Sequence, residues 1–201
     1  MNYQKESYRL YLEKKTISEI SKILNIEENL VQQHIISAKL DQNFDKNIDN
    51  NILENLLVID KNKRIQKISS FEYKDIEKLT LEIYNFLNLE SNNPEDCALV
   101  IWIIGELKLK KFDEYLKKLS FSYNGNIKRM VFSTMGKIYN PEFVPYLKQG
   151  CKDKKPQVRS YAIKSFANYY TEDKLDFLRK IYKQETEEYN RKIILKVVKE
   201  G

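Results

Sequence analysis

Apolar residues recur along this chain at spacings of three and four, the period of a helix with one buried face. Near the start, Tyr8, Leu10, Tyr11 and Leu12 open one such face, Ile17, Ile20, Ile23 and Leu24 form a second, and Leu30, Val31, His34 and Ile35 a third. Thr16 and Glu19 frame the second run as a capping box, in which each side chain bonds the backbone at the other end of the first turn. Asn25–Glu28 reads as the turn before the third helix. Residues 41–51 are polar and read as a loop, and Ile52–Leu57 as a short helix. Lys61–Lys63 reads as a turn. Ser69–Glu72 reads as a second capping box, opening a helix through Leu89 with Ile76, Leu79, Ile83 and Phe86 on one side.

From residue 94 onward the pattern repeats with a period of 31. Gly105, Gly136 and Ala167 fall in one column, and Ile104, Met135 and Phe166 in the column before it. Val100, Val131, Ala162 and Ile193 share another, followed by Ile101, Phe132, Ile163 and Ile194. A second helix follows each of these, with Tyr115, Tyr146 and Phe177 in register and Leu116, Leu147 and Leu178 next to them. Asn93-Pro94, Asn140-Pro141 and Lys155-Pro156 mark helix starts, since Pro is tolerated where an N–H has no partner. Gly inside a helix costs about 1 kcal/mol relative to Ala. A small residue kept in register therefore predicts close approach between neighbouring helices.

Asp153, Val158-Arg159, Ala162-Ile163 and Phe166-Ala167, with Ile127-Lys128 and Met135-Gly136 in the copy before, resemble short HEAT-like repeats of the kind also found in phycobilin lyases. The resemblance covers residues 94–201 and implies an α-solenoid of paired helices that binds through the inner helix of each pair. It also implies that Arg159 and Lys128 pair with acids between repeats, such as Asp153. In the first copy Asp96-Cys97 replaces Val-Arg. Trp102 and Ile103 make that helix apolar on every side, which predicts burial beneath the helix that ends near Leu89. Tyr8-x-x-Tyr11, Ile17-x-x-Ile20, Leu24-x-Ile26, Val31 and His34-Ile35 are similar to the helix-turn-helix at the C-terminus of RecQ-type helicases. That likeness implies a third helix offered to the DNA major groove through Asn29, Gln32, Gln33 and Ser37. No Lys or Arg lies between Lys22 and Lys39 to meet phosphates.

The expected architecture is all-α, with a helix-turn-helix-like region at 1–47, connecting helices capping the stack at 48–93, and a HEAT-like α-solenoid at 94–201. Only five Gly and four Pro in 201 residues agree with it. No apolar run approaches the roughly 18 residues of a membrane span, and the first residues have no apolar signal core, so the reading is cytoplasmic. Cys97 and Cys151 lack metal or redox spacing and read as buried reduced thiols. A lone His34 on an apolar face reads as a core residue, and Glu187-Glu188 as the first turn of a helix. Trp102 also brings to mind HEAT-like DNA glycosylases, but no Asp follows it at helical spacing. No catalytic motif, metal site or cofactor is expected.

Charge is unevenly spread. Residues 1–47 balance at net zero and residues 48–93 carry −2, whereas residues 94–201 hold 22 basic and 14 acidic side chains, net +8. Within a 31-residue register, the outward columns of the inner helices are Arg129, Met130, Ser133 and Lys137, then Ser160, Tyr161, Lys164 and Asn168, then Arg191, Lys192, Leu195 and Lys199. Six of these twelve are basic and none is acidic. The stripe fits DNA or RNA, an acidic protein segment, or a solvated basic face. The favoured expectation is a non-catalytic nucleic-acid-associated protein. The alternative is a protein-interaction scaffold whose helix-turn-helix is structural.

Overall fold

The computed structural model describes residues 2–44, 51–89 and 92–200. These fold into thirteen α-helices, with no strand among the described residues. The chain divides into two compact units, Met1–Val100 and Ile101–Gly201.

In the first unit, α1 (Tyr3–Leu12), α2 (Ile17–Leu24) and α3 (Glu28–Phe44) enclose one core of Leu10, Tyr11, Ile20, Leu24, Val31 and Ile35. The Thr16–Glu19 box caps α2, and Asn25 ends it in the left-handed region, with φ 52°. Asn tolerates that conformation better than most residues. His34 is half-buried, with its Nδ1 3.1 Å from the hydroxyl of the buried Ser7. Lys39 lies 2.8 Å from Asp96 and 3.0 Å from the Tyr11 hydroxyl. The Asn93 side chain caps α7 (Pro94–Glu106) by accepting from the Glu95 N–H, and it donates to the carbonyls of Tyr11 and Lys15.

Three local expectations are corrected here. Helix α3 continues through Phe44, into the stretch 41–51 expected to be a loop, and residues 45–50 lie outside the described residues. Lys61–Lys63 is the first turn of α5 (Lys61–Ser69), because Asp60 accepts from the Asn62 and Lys63 N–H groups and nucleates a helix there. Ser69 and Ser70 close that helix by donating to the carbonyls of Gln66 and Lys67. The next helix, α6 (Tyr73–Leu87), starts after Glu72, whose N–H donates to Asp75, and α4 (Ile52–Val58) packs against α6.

The second unit contains the last turns of α7, then α8 (Asp113–Leu119), α9 (Gly125–Ile138), α10 (Val144–Gly150), α11 (Pro156–Ala167), α12 (Lys174–Gln184) and α13 (Glu188–Glu200). Helices α9, α11 and α13 pack side by side, and α8, α10 and α12 each pack on the inner helix that follows. Leu116, Leu147 and Leu178 are fully buried, each stabilising the stack by about 1.5–3 kcal/mol. The small column marks the closest approach. A Cβ added at Gly105 would lie 2.6 Å from Thr134 Oγ1, and one at Gly136 would lie 2.5 Å from Ser165 Oγ. Lys108 and Tyr139, 31 residues apart, both turn the chain through the left-handed region, with φ 50° and 57°.

The last half-repeat is displaced by one residue. Asp153 accepts from the N–H two residues on, that of Lys155, and Glu185 does the same from Glu187. Arg159 donates to the Asp153 carbonyl at 3.0 Å, and Arg191 donates to the Glu185 carbonyl at 3.2 Å. Asp153 therefore corresponds to Glu185 and Arg159 to Arg191, both 32 apart. The extra residue lies between Asp153 and Glu185, and α13 is rotated against the 31-residue column reading. In this register Ala162 matches Ile194, and both are fully buried.

Candidate binding face

The outward side of the inner helices is built from neighbouring columns. On α7, Trp102 is half-buried and Glu106 exposed. The expectation that Trp102 is wholly enclosed is thereby corrected, while Ile103 beside it is fully buried. Lys137 of α9 reaches back to both, 2.6 Å from Glu106 and 5.6 Å above the Trp102 ring. Arg129 is held by the side-chain oxygens of Asn126 at 2.5 Å and Gln157 at 3.1 Å, and its guanidinium lies 6.0 Å from the Tyr161 ring. Lys164 lies 5.9 Å from the same ring. Met130 and Ser133 are half-buried, and Lys164 and Asn168 are exposed. Ser160, expected in the stripe, is instead buried, on a helix packed between α9 and α13.

On α13 the shifted register changes the surface. Arg191 stands in the Arg159 position, not in the stripe, with its guanidinium 4.1 Å from the Tyr182 ring. Leu195 matches Ile163 and Lys199 matches Ala167, so neither continues the outward columns. Those columns pass instead through Lys192, Ile193 and Lys196. Lys192 is exposed, with only the equally exposed Glu188 at 3.7 Å, a pair worth little in water. Met130, Tyr161 and Ile193 then form one apolar column along the face, bordered by Arg129, Lys164 and Lys192. A period of 31 places Ile193 with Val131 and Ala162, and the 32-residue step corrects that by joining it to Tyr161.

Beneath this face run the ties between repeats. Lys128 pairs with Asp153, as expected. Arg159 pairs with Glu185, correcting its expected partner, through two bonds of 2.8 and 2.5 Å. The Glu185 side chain has no exposure. Burial pushes its carboxyl up, but Arg159, the Glu187 N–H and Asn190 outweigh that and hold it below the ordinary range. Cys151 is buried, whereas Cys97 is only half-buried. Burial, with Asp96 beside it, pushes the Cys97 thiol up to about 11, which leaves it protonated and weakly reactive.

These stacked pairs have a known counterpart. Residues 112–199 match the family of HEAT repeats. No curated protein and no solved structure matches the chain. The HEAT match spans α9 and α11 with the outer helices between and beyond them, and nearly all of α13, and the all-helical fold is of the α-solenoid type. Among the described residues no group of three or more His, Cys, Asp or Glu could hold a metal ion, and no helix is long and apolar enough to cross a membrane.

The expected DNA-reading residues of the first unit, Asn29, Gln32, Gln33 and Ser37, are all exposed on α3. Asn29, Gln32 and Gln33 line one wall of a cleft of about 410 Å³ whose other wall includes Ile59, Asp60, Lys61 and Arg64. The Arg64 side chain is committed to the carbonyls of Leu56 and Ile59. A recognition helix needs a free outward side to enter a groove about 12 Å wide, and here α5 borders that side.

Proposed function

We propose that this chain is a protein-interaction scaffold, and that the outward face of α9, α11 and α13 holds an acidic polypeptide segment carrying apolar side chains. The observation that supports this is the mixed composition of the face. Met130, Tyr161 and Ile193 form an apolar column between cations, and Lys137 is already paired with Glu106. A phosphate backbone is served by a track of free cations and gains nothing from Met or Ile. A polypeptide uses both kinds of contact, with aromatic and apolar anchors supplying affinity and charges setting orientation. The match to HEAT repeats supports the same reading. In the first unit, the cleft beside Gln32 and Gln33 supports a structural role for α1–α3.

The test is fluorescence anisotropy of the chain with three matched probes across salt: an acidic peptide with interspersed Phe and Leu, an all-acidic peptide, and nucleic acids (single- and double-stranded DNA and RNA). The mixed peptide is expected to bind tightest and to keep most of its affinity as salt rises. Tyr161→Ala and Ile193→Ala should each weaken it by about tenfold, the effect of losing roughly 1.4 kcal/mol. Tighter binding of nucleic acid than of either peptide at equal salt would replace this reading with a polyanion groove.

A further inference from the structure

The column of Met130, Tyr161 and Ile193 has a spacing as well as a chemistry, and the spacing restricts how a bound segment runs. Helix α11 packs side by side with α9 and with α13. The first of these joints is close, since a Cβ at Gly136 would lie 2.5 Å from Ser165 Oγ. Packed helices have axes about 8–10 Å apart. The three anchors hold matching positions on the three helices, so successive anchors stand about 8–10 Å apart.

A polypeptide that crosses all three helices must return a side chain to the face at that interval. An α-helix rises about 1.5 Å per residue and returns after about 6 Å at i+4 or about 10.5 Å at i+7. A β-strand returns after about 7 Å at i+2. A polyproline II segment rises about 3.1 Å per residue with three residues per turn, and returns after about 9 Å. Only the last falls inside the interval. The cations narrow the choice further. Arg129 and Lys164 lie 6.0 and 5.9 Å from the centre of the Tyr161 ring. They therefore stand no further apart than a helix is wide, about 10–12 Å, and a helix seated on Tyr161 would lie over both. A slimmer extended chain fits between them.

The three residues of a polyproline turn face three ways. With one row set against the anchors, the other two look to either side. Arg129 and Lys192 each precede an anchor by one residue, and Lys164 follows one by a helical turn, so cations border the column on both sides. Among the described residues, ion pairs engage Lys128, Lys137, Arg159 and Lys192 but neither Arg129 nor Lys164. Arg129 is steadied by the neutral side-chain oxygens of Asn126 and Gln157, which position its charge without cancelling it.

We propose that the partner segment lies across α9, α11 and α13 as an extended polyproline II chain, with an apolar residue at every third position and acids between. This rests on the reading of the face as a site for an acidic, apolar polypeptide, and adds the partner's conformation and repeat.

The test uses three peptides of equal length and composition, each with three Phe among Glu and Ala, spaced by three, by seven or by two. A fourth repeats the first with Pro in place of Ala. Each is titrated into the full chain and followed by anisotropy. The three-spaced peptide is expected to bind at least about tenfold tighter than the seven- and two-spaced ones, and the Pro version at least as tightly as its parent. Tyr161→Ala should weaken the three-spaced peptide about tenfold. A three-spaced peptide with its middle Phe replaced by Ala should lose that sensitivity to Tyr161→Ala, a readout that needs no further change to the protein. The proposal is overturned if the seven- or two-spaced peptide binds as tightly, or if Pro abolishes binding. Should Tyr161→Ala still weaken the peptide that binds best, the face itself stands as a polypeptide site. If no peptide binds, both the face and the repeat fall together.

Discussion

The joint between α9 and α11 and the joint between α11 and α13 solve one problem with different parts. Each must bring a basic residue on an inner helix to an acid in the loop before the next inner helix. At the first joint Lys128 meets Asp153, and at the second Arg159 grips Glu185 with two nitrogens. The second acid also accepts from the Thr186 and Glu187 N–H groups and from Asn190. It therefore fixes the start of α13 as well as its distance from α11. A planar guanidinium suits such a fork, whereas an ammonium makes a point contact. The extra residue before Glu185 leaves the tie intact while rotating α13, so the buried bonds keep the repeat and the outward surface changes. Columns read from sequence period alone follow the surface poorly for that reason.

The comparison can be broken at either joint. Arg159→Ala leaves Glu185 enclosed without its cation and should destabilise the chain by about 3–5 kcal/mol, the usual cost of breaking a buried pair. Lys128→Ala, whose partner is a less enclosed carboxylate, should cost clearly less, and urea melts of the two variants side by side measure the difference. Gly136→Val drives a side chain into Ser165 and should cost about 1–3 kcal/mol by overpacking, seen as a lower urea midpoint. Acid separates the joints further. Glu185 titrates below its ordinary value of 4.5 in the folded chain, so its stabilisation is full above that value and is lost as pH falls through the folded pKa. Melting temperatures from about pH 6 to about pH 3 should therefore fall less steeply in Glu185→Gln than in the parent, from a lower starting point. In the first unit Thr16→Ala removes the capping oxygen of α2 and should cost about 1 kcal/mol by the same urea assay. Smallest in size, Lys108→Gly should raise stability by about 0.5–1 kcal/mol, because Lys is held at a positive φ that Gly adopts freely.

Much of this architecture was legible wherever one signal had one meaning. Thr16 with Glu19 admits a single reading, and so does the Gly105–Gly136–Ala167 column, in which Gly105 approaches Thr134 and Gly136 approaches Ser165. Helix α13 was ambiguous because Ile193-Ile194 and Val197-Val198 are adjacent apolar pairs that fit a period of 31 or 32 equally well. The deciding signal was polar: Asp153 to Glu185 and Arg159 to Arg191 are both 32 apart in the sequence. Ser69–Glu72 misled because Ser can close one helix as readily as open the next, and Asp60 had already claimed the preceding segment. The cleft beside Gln32 and Gln33 depends on where α5 returns, which no local pattern encodes.

Asn93 carries a consequence for the order of events during synthesis. Its buried amide reaches the carbonyls of Tyr11 and Lys15, 82 and 78 positions earlier. Those carbonyls close α1 and the bend after it, where orphaned acceptors need partners. As the chain emerges from the ribosome, α1, α2 and α3 can assemble their shared core long before residue 93 exists. Until it appears, the Tyr11 carbonyl has only the Lys14 N–H and the Lys15 carbonyl lacks its amide donor, so the cluster stays unlatched. Asn93→Ala would keep the finished protein in that provisional state, with the amides after α1 exchanging their hydrogens early while those of α9 and α11 stay protected.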